Sequence, residues 1–190
     1  MFIRTERLLL RPGWTEDAPA LFKAIGEEAI VRNLARAPWP YTIEHARVFL
    51  DAEPRAEEPN FLVFRRTLGA PQLIGGVGIA NLSDTEQEFG YWIARPHWGL
   101  GYATEAAKAV VALARDSLRL KRLVASHFLD NPASGRVLRK LGFRPGAIVS
   151  RHSAGRGATV PSRCYELTFG NDRRATGEEL LDVACQMIAA

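Results

Sequence analysis

The stretch from Tyr91 to Lys108 constrains this chain more than any other: Tyr-Trp-Ile-Ala-Arg-Pro-His-Trp-Gly-Leu-Gly-Tyr-Ala-Thr-Glu-Ala-Ala-Lys. It reads as a strand, a sharp turn holding two glycines, and the start of an alanine-rich helix. Gly99 and Gly101 let the backbone approach a ligand with no Cβ in the way, and Ala103 keeps the helix entrance small. The first turn of such a helix leaves N–H groups unpaired at the positive end of its dipole. The stretch is therefore suited to holding an anion, a phosphate above all.

Two familiar phosphate loops do not fit. A nucleotide P-loop needs Lys-Ser or Lys-Thr directly after its last glycine, and Tyr102-Ala103 stand there. A dinucleotide fingerprint needs Gly or Ala at 104, where Thr104 sits, and an acidic residue about twenty positions on, where the chain has Ser126 and His127.

The surrounding pattern is mixed α/β. Phe2 to Arg11 reads as one strand stopped by Pro12-Gly13, and Thr15 or Asp17 caps a helix to about Glu28. Thr42 caps a second helix to about Ala52. Phe61 to Thr67, Gln72 to Ala80 and Glu86 to Ala94 read as three consecutive antiparallel strands. After the glycine turn come a helix to about Leu118, a strand from Arg122 to Phe128, and a helix from Pro132 to Leu141 ended by Gly142. Joined through a helix, strands 86–94 and 122–128 should run parallel. Pro145 to Arg151 and Arg163 to Phe169 then form a closing pair around a glycine-rich loop, His152 to Ser162.

With 190 residues the chain suits one domain, 1–170, with 171–190 as a helical extension of it. In that tail Thr176 and Glu179 have capping-box spacing, and Leu180, Leu181, Val183, Ala184, Met187 and Ile188 make an apolar face. The domain itself or a second chain, in a homodimer, must cover that face. All but four of the 25 basic residues are arginine, but no long basic run or interleaved aromatic stripe calls for nucleic acid. Cys164 and Cys185 lack metal spacing, so no metal is expected, and no segment suggests a membrane span. Arg4, Glu6, Arg7 and Arg11 interrupt any apolar leader, which makes the cytoplasm the default location.

Together these motifs resemble the Gcn5-related N-acetyltransferase (GNAT) superfamily. Its coenzyme A loop is Gln or Arg, two residues, Gly, one residue, then Gly or Ala; Gly101 and Ala103 match, and Trp98 departs from the Gln/Arg position. Trp-Gly-x-Gly-Tyr-Ala-Thr-Glu-Ala resembles the branch of ribosomal-protein alanine N-acetyltransferases (RimJ/RimL type). So do Thr5-Glu6-Arg7-Leu8-Leu9-Leu10-Arg11, Glu88-Phe89-Gly90-Tyr91-Trp92, and Asn131-Pro-Ala-Ser134 with Lys140-Leu-Gly142-Phe143. The likeness spans roughly residues 3–169. It implies a mixed, mostly antiparallel twisted sheet of six to seven strands flanked by helices, with one parallel, splayed pair. It also implies an acetyl-CoA-dependent N-acetyltransferase using a primary amine, a protein N-terminus or a small molecule, as acceptor.

The resemblance assigns coenzyme contacts to Tyr91, Trp92 and Ile93 on the central strand, to Gly99, Leu100, Gly101, Tyr102, Ala103 and Thr104 at the turn, and to Asn131 and Ser134. Arg136, Arg139 and Lys140 are further candidates for a ribose phosphate, against the plainer reading of a solvated helix face. Trp39, Tyr41 and the His152–Ser162 loop are expected on the acceptor side.

For a general base, Glu88 is the best acidic candidate, sharing a strand face with Glu86, Gly90 and Trp92. A carboxylate set against aromatic surface becomes more basic, as a general base requires; an ion pair with one of the many arginines is the alternative. For the acid, the family's usual tyrosine is replaced by Leu138, and Ser134 is the substitute, although its hydroxyl could equally cap the helix or touch the coenzyme. Neither cysteine sits in a catalytic pattern with histidine, so direct attack is expected rather than a covalent acetyl-enzyme. The rival is a non-catalytic acyl-CoA-binding or sensing module.

Overall fold

A computed structural model describes residues 1–53, 55–83 and 86–170. The expected tail helix and its apolar face lie outside them. The elements in chain order are β1 (Ile3–Arg4), β2 (Leu8–Arg11), α1 (Ala18–Ile25), α2 (Glu28–Val31), α3 (Ile43–Asp51), β3 (Asn60–Arg65), β4 (Gln72–Ser83) and β5 (Glu86–Ile93). They continue with α4 (Tyr102–Asp116), β6 (Arg122–Phe128), α5 (Pro132–Lys140), β7 (Arg144–Ser153) and β8 (Ala158–Thr168). Among the described residues one sheet of eight strands has the order β1-β2-β3-β4-β5-β6-β8-β7.

The sheet is buried on both faces at its centre. Alternation along β3 sends Phe61 and Val63 into the core under α4 and α5, and Leu62 and Phe64 into a second core under α1, α2 and α3. This explains the unbroken apolar run Phe61 to Phe64, which a half-exposed strand would not need.

Three elements differ from the sequence reading. The opening strand is two short strands, because Thr5 turns the chain: its N–H donates to the Leu8 carbonyl and its hydroxyl accepts from the Leu8 N–H, both at 3.0 Å. That split raises the strand count to eight from the expected six to seven. The first long helix stops at Ile25 and restarts as α2 after Gly26. Much of the expected His152–Ser162 loop is strand: β7 and β8 pair through His152↔Thr159 and Ser150↔Pro161, leaving only residues 154–157 to turn.

The feature that positions the site is the one parallel pair among the described residues, β5 and β6. β5 and β6 are joined only at Glu88↔Val124. Beyond that point β5 stays paired to β4 as far as Ile93, and β6 to β8 as far as Phe128. The two strands therefore part like a V, and each presents an unpaired backbone edge to the gap.

Candidate active site

The gap opens into a cleft of about 1500 Å³ that passes between the two cores. On one side it is bounded by the glycine turn and α5, on the other by α2, α3 and the end of β7.

The turn that carries β5 into α4 contains Arg95–His97 in a short 3-10 turn, followed by Trp98 to Gly101. Gly99 has φ +76° and Gly101 φ +83°, conformations that a side chain with a Cβ resists. Gly101 stands directly before α4, so the first N–H groups of that 15-residue helix face the cleft with no side-chain cap. Trp98, in the position of the family's Gln or Arg, donates its indole N–H to the Ile93 carbonyl at 2.6 Å and so ties the turn to the end of β5.

Behind the turn is a clasp that pattern reading does not anticipate. Arg7 donates from Nε to Glu105 at 2.7 Å and from Nη1 to the Leu100 carbonyl at 3.1 Å, and its guanidinium lies 4.5 Å from the centroid of the Tyr102 ring. The Thr5 hydroxyl and the Arg7 N–H both donate to the other Glu105 oxygen, at 2.6 and 2.9 Å. Burial alone would raise the pKa of Glu105, but these donors together hold it below the usual carboxylate range. A carboxylate in the first turn of α4 is thus neutralised by Arg7.

Across the gap, Tyr91 reaches from β5 to α5 and donates its hydroxyl to Ser134 Oγ at 3.0 Å. Burial pushes the phenol up to about 12, outweighing the opposing effect of the Ser134 hydrogen bond, so Tyr91 remains a donor at any working pH. The capping role goes to Asn131, whose side chain accepts from the Ser134 N–H at 3.4 Å. The Ser134 hydroxyl, one candidate for the cap from the sequence, therefore does not cap α5. α5 packs closely on β6 and β8: a Cβ on Gly135 would lie 2.5 Å from His127 Nε2 and 2.9 Å from the Tyr165 hydroxyl.

On the opposite wall Glu88 is held by arginine rather than set against aromatic surface. Arg151 donates to both carboxylate oxygens, Nη1 to Oε1 at 2.5 Å and Nη2 to Oε2 at 2.9 Å. Arg151 also donates to the Ser126 hydroxyl, and Arg36 lies 3.5 Å from Oε2. Nearby, Arg156 makes a bidentate pair with Asp130 at 2.9 Å, joined by Arg32 at 3.1 Å. A smaller cavity of about 290 Å³ continues from this wall and shares Ala35, Arg36 and Arg151 with the cleft.

The acetyltransferase (GNAT) domain model matches residues 7–144, most of the chain and nearly all of the cleft. The chain belongs to the GNAT acetyltransferase family. It is an acyltransferase. A Bacillus subtilis protein called uncharacterized N-acetyltransferase YoaA is 28% identical over 172 residues, covering 87% of this chain and 95% of its own. A GNAT-family acetyltransferase from Bacillus anthracis, solved by crystallography, superposes with a TM-score of 0.76 at 24% identity, covering 88% of this chain and 98% of that one. RimL, described as the ribosomal L7/L12 alpha-N-protein acetyltransferase in complex with coenzyme A, shares the fold with a TM-score of 0.73 at 18% identity over 89% and 98% of the two chains.

The cleft of this acetyltransferase gathers Glu88, Tyr91, Trp92, Ile93, Gly99, Gly101, Tyr102, Ala103, Thr104, Asn131 and Ser134. Leu100 does not border it: its side chain is exposed and its carbonyl is taken by Arg7. Arg136 and Lys140 border the cleft, whereas Arg139 turns to the Tyr165 hydroxyl at 3.4 Å. Of the residues expected on the acceptor side, Tyr41 borders the cleft and Trp39 does not. Sequence reasoning missed Arg7, Glu105, Arg36 and Arg151. Arg7 and Glu105 lay inside quoted motifs, yet only the fold shows that they meet.

Proposed function

We propose that this chain transfers the acetyl group of acetyl-CoA to a primary amine by direct attack within a ternary complex. The observation that carries the reading is the splay of β5 from β6 beside the uncapped N-terminus of α4, within one continuous cleft. A ligand with phosphates at one end and a reactive thioester at the other fits that arrangement. The phosphates take the N–H groups from Gly99 to Thr104, and the pantetheine amides take the open edge of β5 from Tyr91 to Ile93, with Asn131 as a further contact. The thioester then lies near the base of the V, between Ser134 and Glu88.

In this scheme the amine nitrogen attacks the thioester carbonyl carbon, the C–S bond breaks, and two protons are accounted for. The amine reacts in its neutral form, and Glu88 accepts the proton that the nitrogen loses as the C–N bond forms. Ser134 gives its proton to the departing thiolate, and the hydrogen bond it receives from Tyr91 makes it a better donor. An α-amine of pKa about 7.7 to 8.0 is roughly a quarter to a third neutral near pH 7.5, whereas a lysine side chain is neutral about once in a thousand molecules. A single carboxylate already bound to arginine suits the easier proton, so the acceptor is an α-amine or one of similar basicity.

Release of coenzyme A tests the reading. Mixing the protein with acetyl-CoA should release little thiol until an α-amine is added, and then release it in step with N-acetylated product. Tight acetyl-CoA binding with no amine-dependent release across a broad amine panel would leave only a binding module.

A further inference from the structure

The acceptor wall carries more positive than negative charge where the amine must arrive. Glu88 alone faces two guanidiniums: Arg151, 9% exposed and bound to both carboxylate oxygens, and Arg36, 66% exposed. Among the described residues the one ion-pair partner of Arg36 is Glu88, reached by a single nitrogen at 3.5 Å. Most of its five N–H donors therefore remain available. The pattern repeats nearer the surface, where Arg32 and Arg156 share Asp130. Glu28 also lines the cleft and Glu86 the smaller cavity, but Glu86 is taken by Arg122 at 2.7 Å. Arg36 and Arg151 form the partition between the two spaces, and His152 adds a further nitrogen base to the smaller one.

We infer that the acceptor is a small amine that also carries an anionic group, a carboxylate or phosphate within a few bonds of the nitrogen, and that Arg36, backed by Arg151, binds that anion. The inference rests on the proposed acetyl transfer and narrows its substrate class. A purely cationic amine, such as a polyamine or an amino sugar, meets two guanidiniums against one carboxylate and gains nothing from Arg36. An acceptor with both charges exchanges partners: its ammonium goes to Glu88, and its anion goes to the guanidinium that Glu88 releases. The smaller cavity, about 290 Å³, has room for the anionic end while the amine stays at the base of the V. Arginine forks match carboxylate and phosphate oxygens in pairs, which gives this exchange its geometry.

The test uses acceptors that differ only in the anion: asparagine amide, which has none; aspartic acid α-amide, with a side-chain carboxylate; and free asparagine, with an α-carboxylate. The first two have similar amine basicity, so their ratio reports recognition of the charge. With the intact protein at pH 7.5, at least one anionic acceptor should exceed asparagine amide by about 10-fold in kcat/KM. Arg36→Ala should remove that preference, chiefly through KM, and Arg36→Glu should invert it. Arg36 is exposed, so both variants should keep the wild-type Tm. Equal kcat/KM for all three acceptors, or a preference that survives Arg36→Glu, overturns the inference while leaving acetyl transfer standing. If none of the three is acetylated while other amines release coenzyme A, the inference again falls alone. If no amine of any kind does so, the acetyl-transfer reading falls and takes the inference with it.

Discussion

The two halves of the cleft are built from different materials. The half proposed to hold the coenzyme is mostly backbone: two glycines at positive φ, a helix N-terminus, and the open edge of a strand. The acceptor half is mostly side-chain charge, with Glu88, Arg151, Arg36, Asp130, Arg156 and Arg32 drawn from four separate stretches of chain. Backbone sites are fixed by local conformation and tolerate sequence change so long as the turn survives. Charge networks depend on partners far apart in sequence, and one substitution can redirect them. The first half should thus fail when conformation is altered, the second when charge is altered.

The largest effect should come from Gly101→Val. A β-branched residue is strained by about 1 to 3 kcal/mol at φ +83°. Relieving that strain moves the turn, and affinity for acetyl-CoA by calorimetry should fall roughly 100-fold. The fold should persist, since the nearest atom to a Cβ there is Arg7 Nη2 at 3.4 Å. Unchanged affinity would break the assignment of the backbone half.

Glu88→Gln is the matching change in the charged half. It should lower kcat by about 100-fold at neutral pH, with the deficit shrinking as pH rises and free amine accumulates. Acetyl-CoA affinity should be unaffected. Full activity at pH 7 would remove Glu88 from the chemistry and leave it as a structural partner of Arg151.

Ser134→Ala should cost about 10-fold in kcat with little recovery at high pH, because the missing proton belongs to the leaving thiolate. Tyr91→Phe should give a smaller loss in the same direction, since it removes only the hydrogen bond to Ser134. If Tyr91→Phe were harsher than Ser134→Ala, the order of the relay would be wrong.

The smallest effect sharpens the comparison from behind the turn. Arg7→Ala should raise KM for acetyl-CoA roughly 2- to 10-fold with kcat largely retained, because Glu105 would then present an unneutralised charge to the phosphates. The clasp also has a pH signature. The Glu105 pKa is lower in the folded protein than in the unfolded chain, so its contribution to stability is complete above the ordinary glutamate range. That contribution is lost as pH falls through the lower folded-state value. Acid unfolding followed by circular dichroism should be less steep in Glu105→Gln than in the wild type.

The same division explains what the sequence disclosed. β6 was legible to the residue, and α5 and the glycine turn nearly so, because their signals are local: apolar runs, a proline at the first helical position, glycines where φ is positive. The continuation of β7 and β8 into a glycine- and proline-containing stretch was not legible, since strand pairing overrides local turn propensity. In the site, the glycines and Ser134 could be found by motif. The Arg151 partner of Glu88 could not, being 63 residues away and one of many arginines.

The central claim is direct transfer within one cleft, and mass spectrometry of a rapidly quenched reaction with acetyl-labelled coenzyme tests it most directly. The account predicts labelled N-acetyl amine from the first turnover and unmodified protein throughout, with or without acceptor. Labelled protein formed in the absence of amine, and chased into product when amine is added, would contradict it.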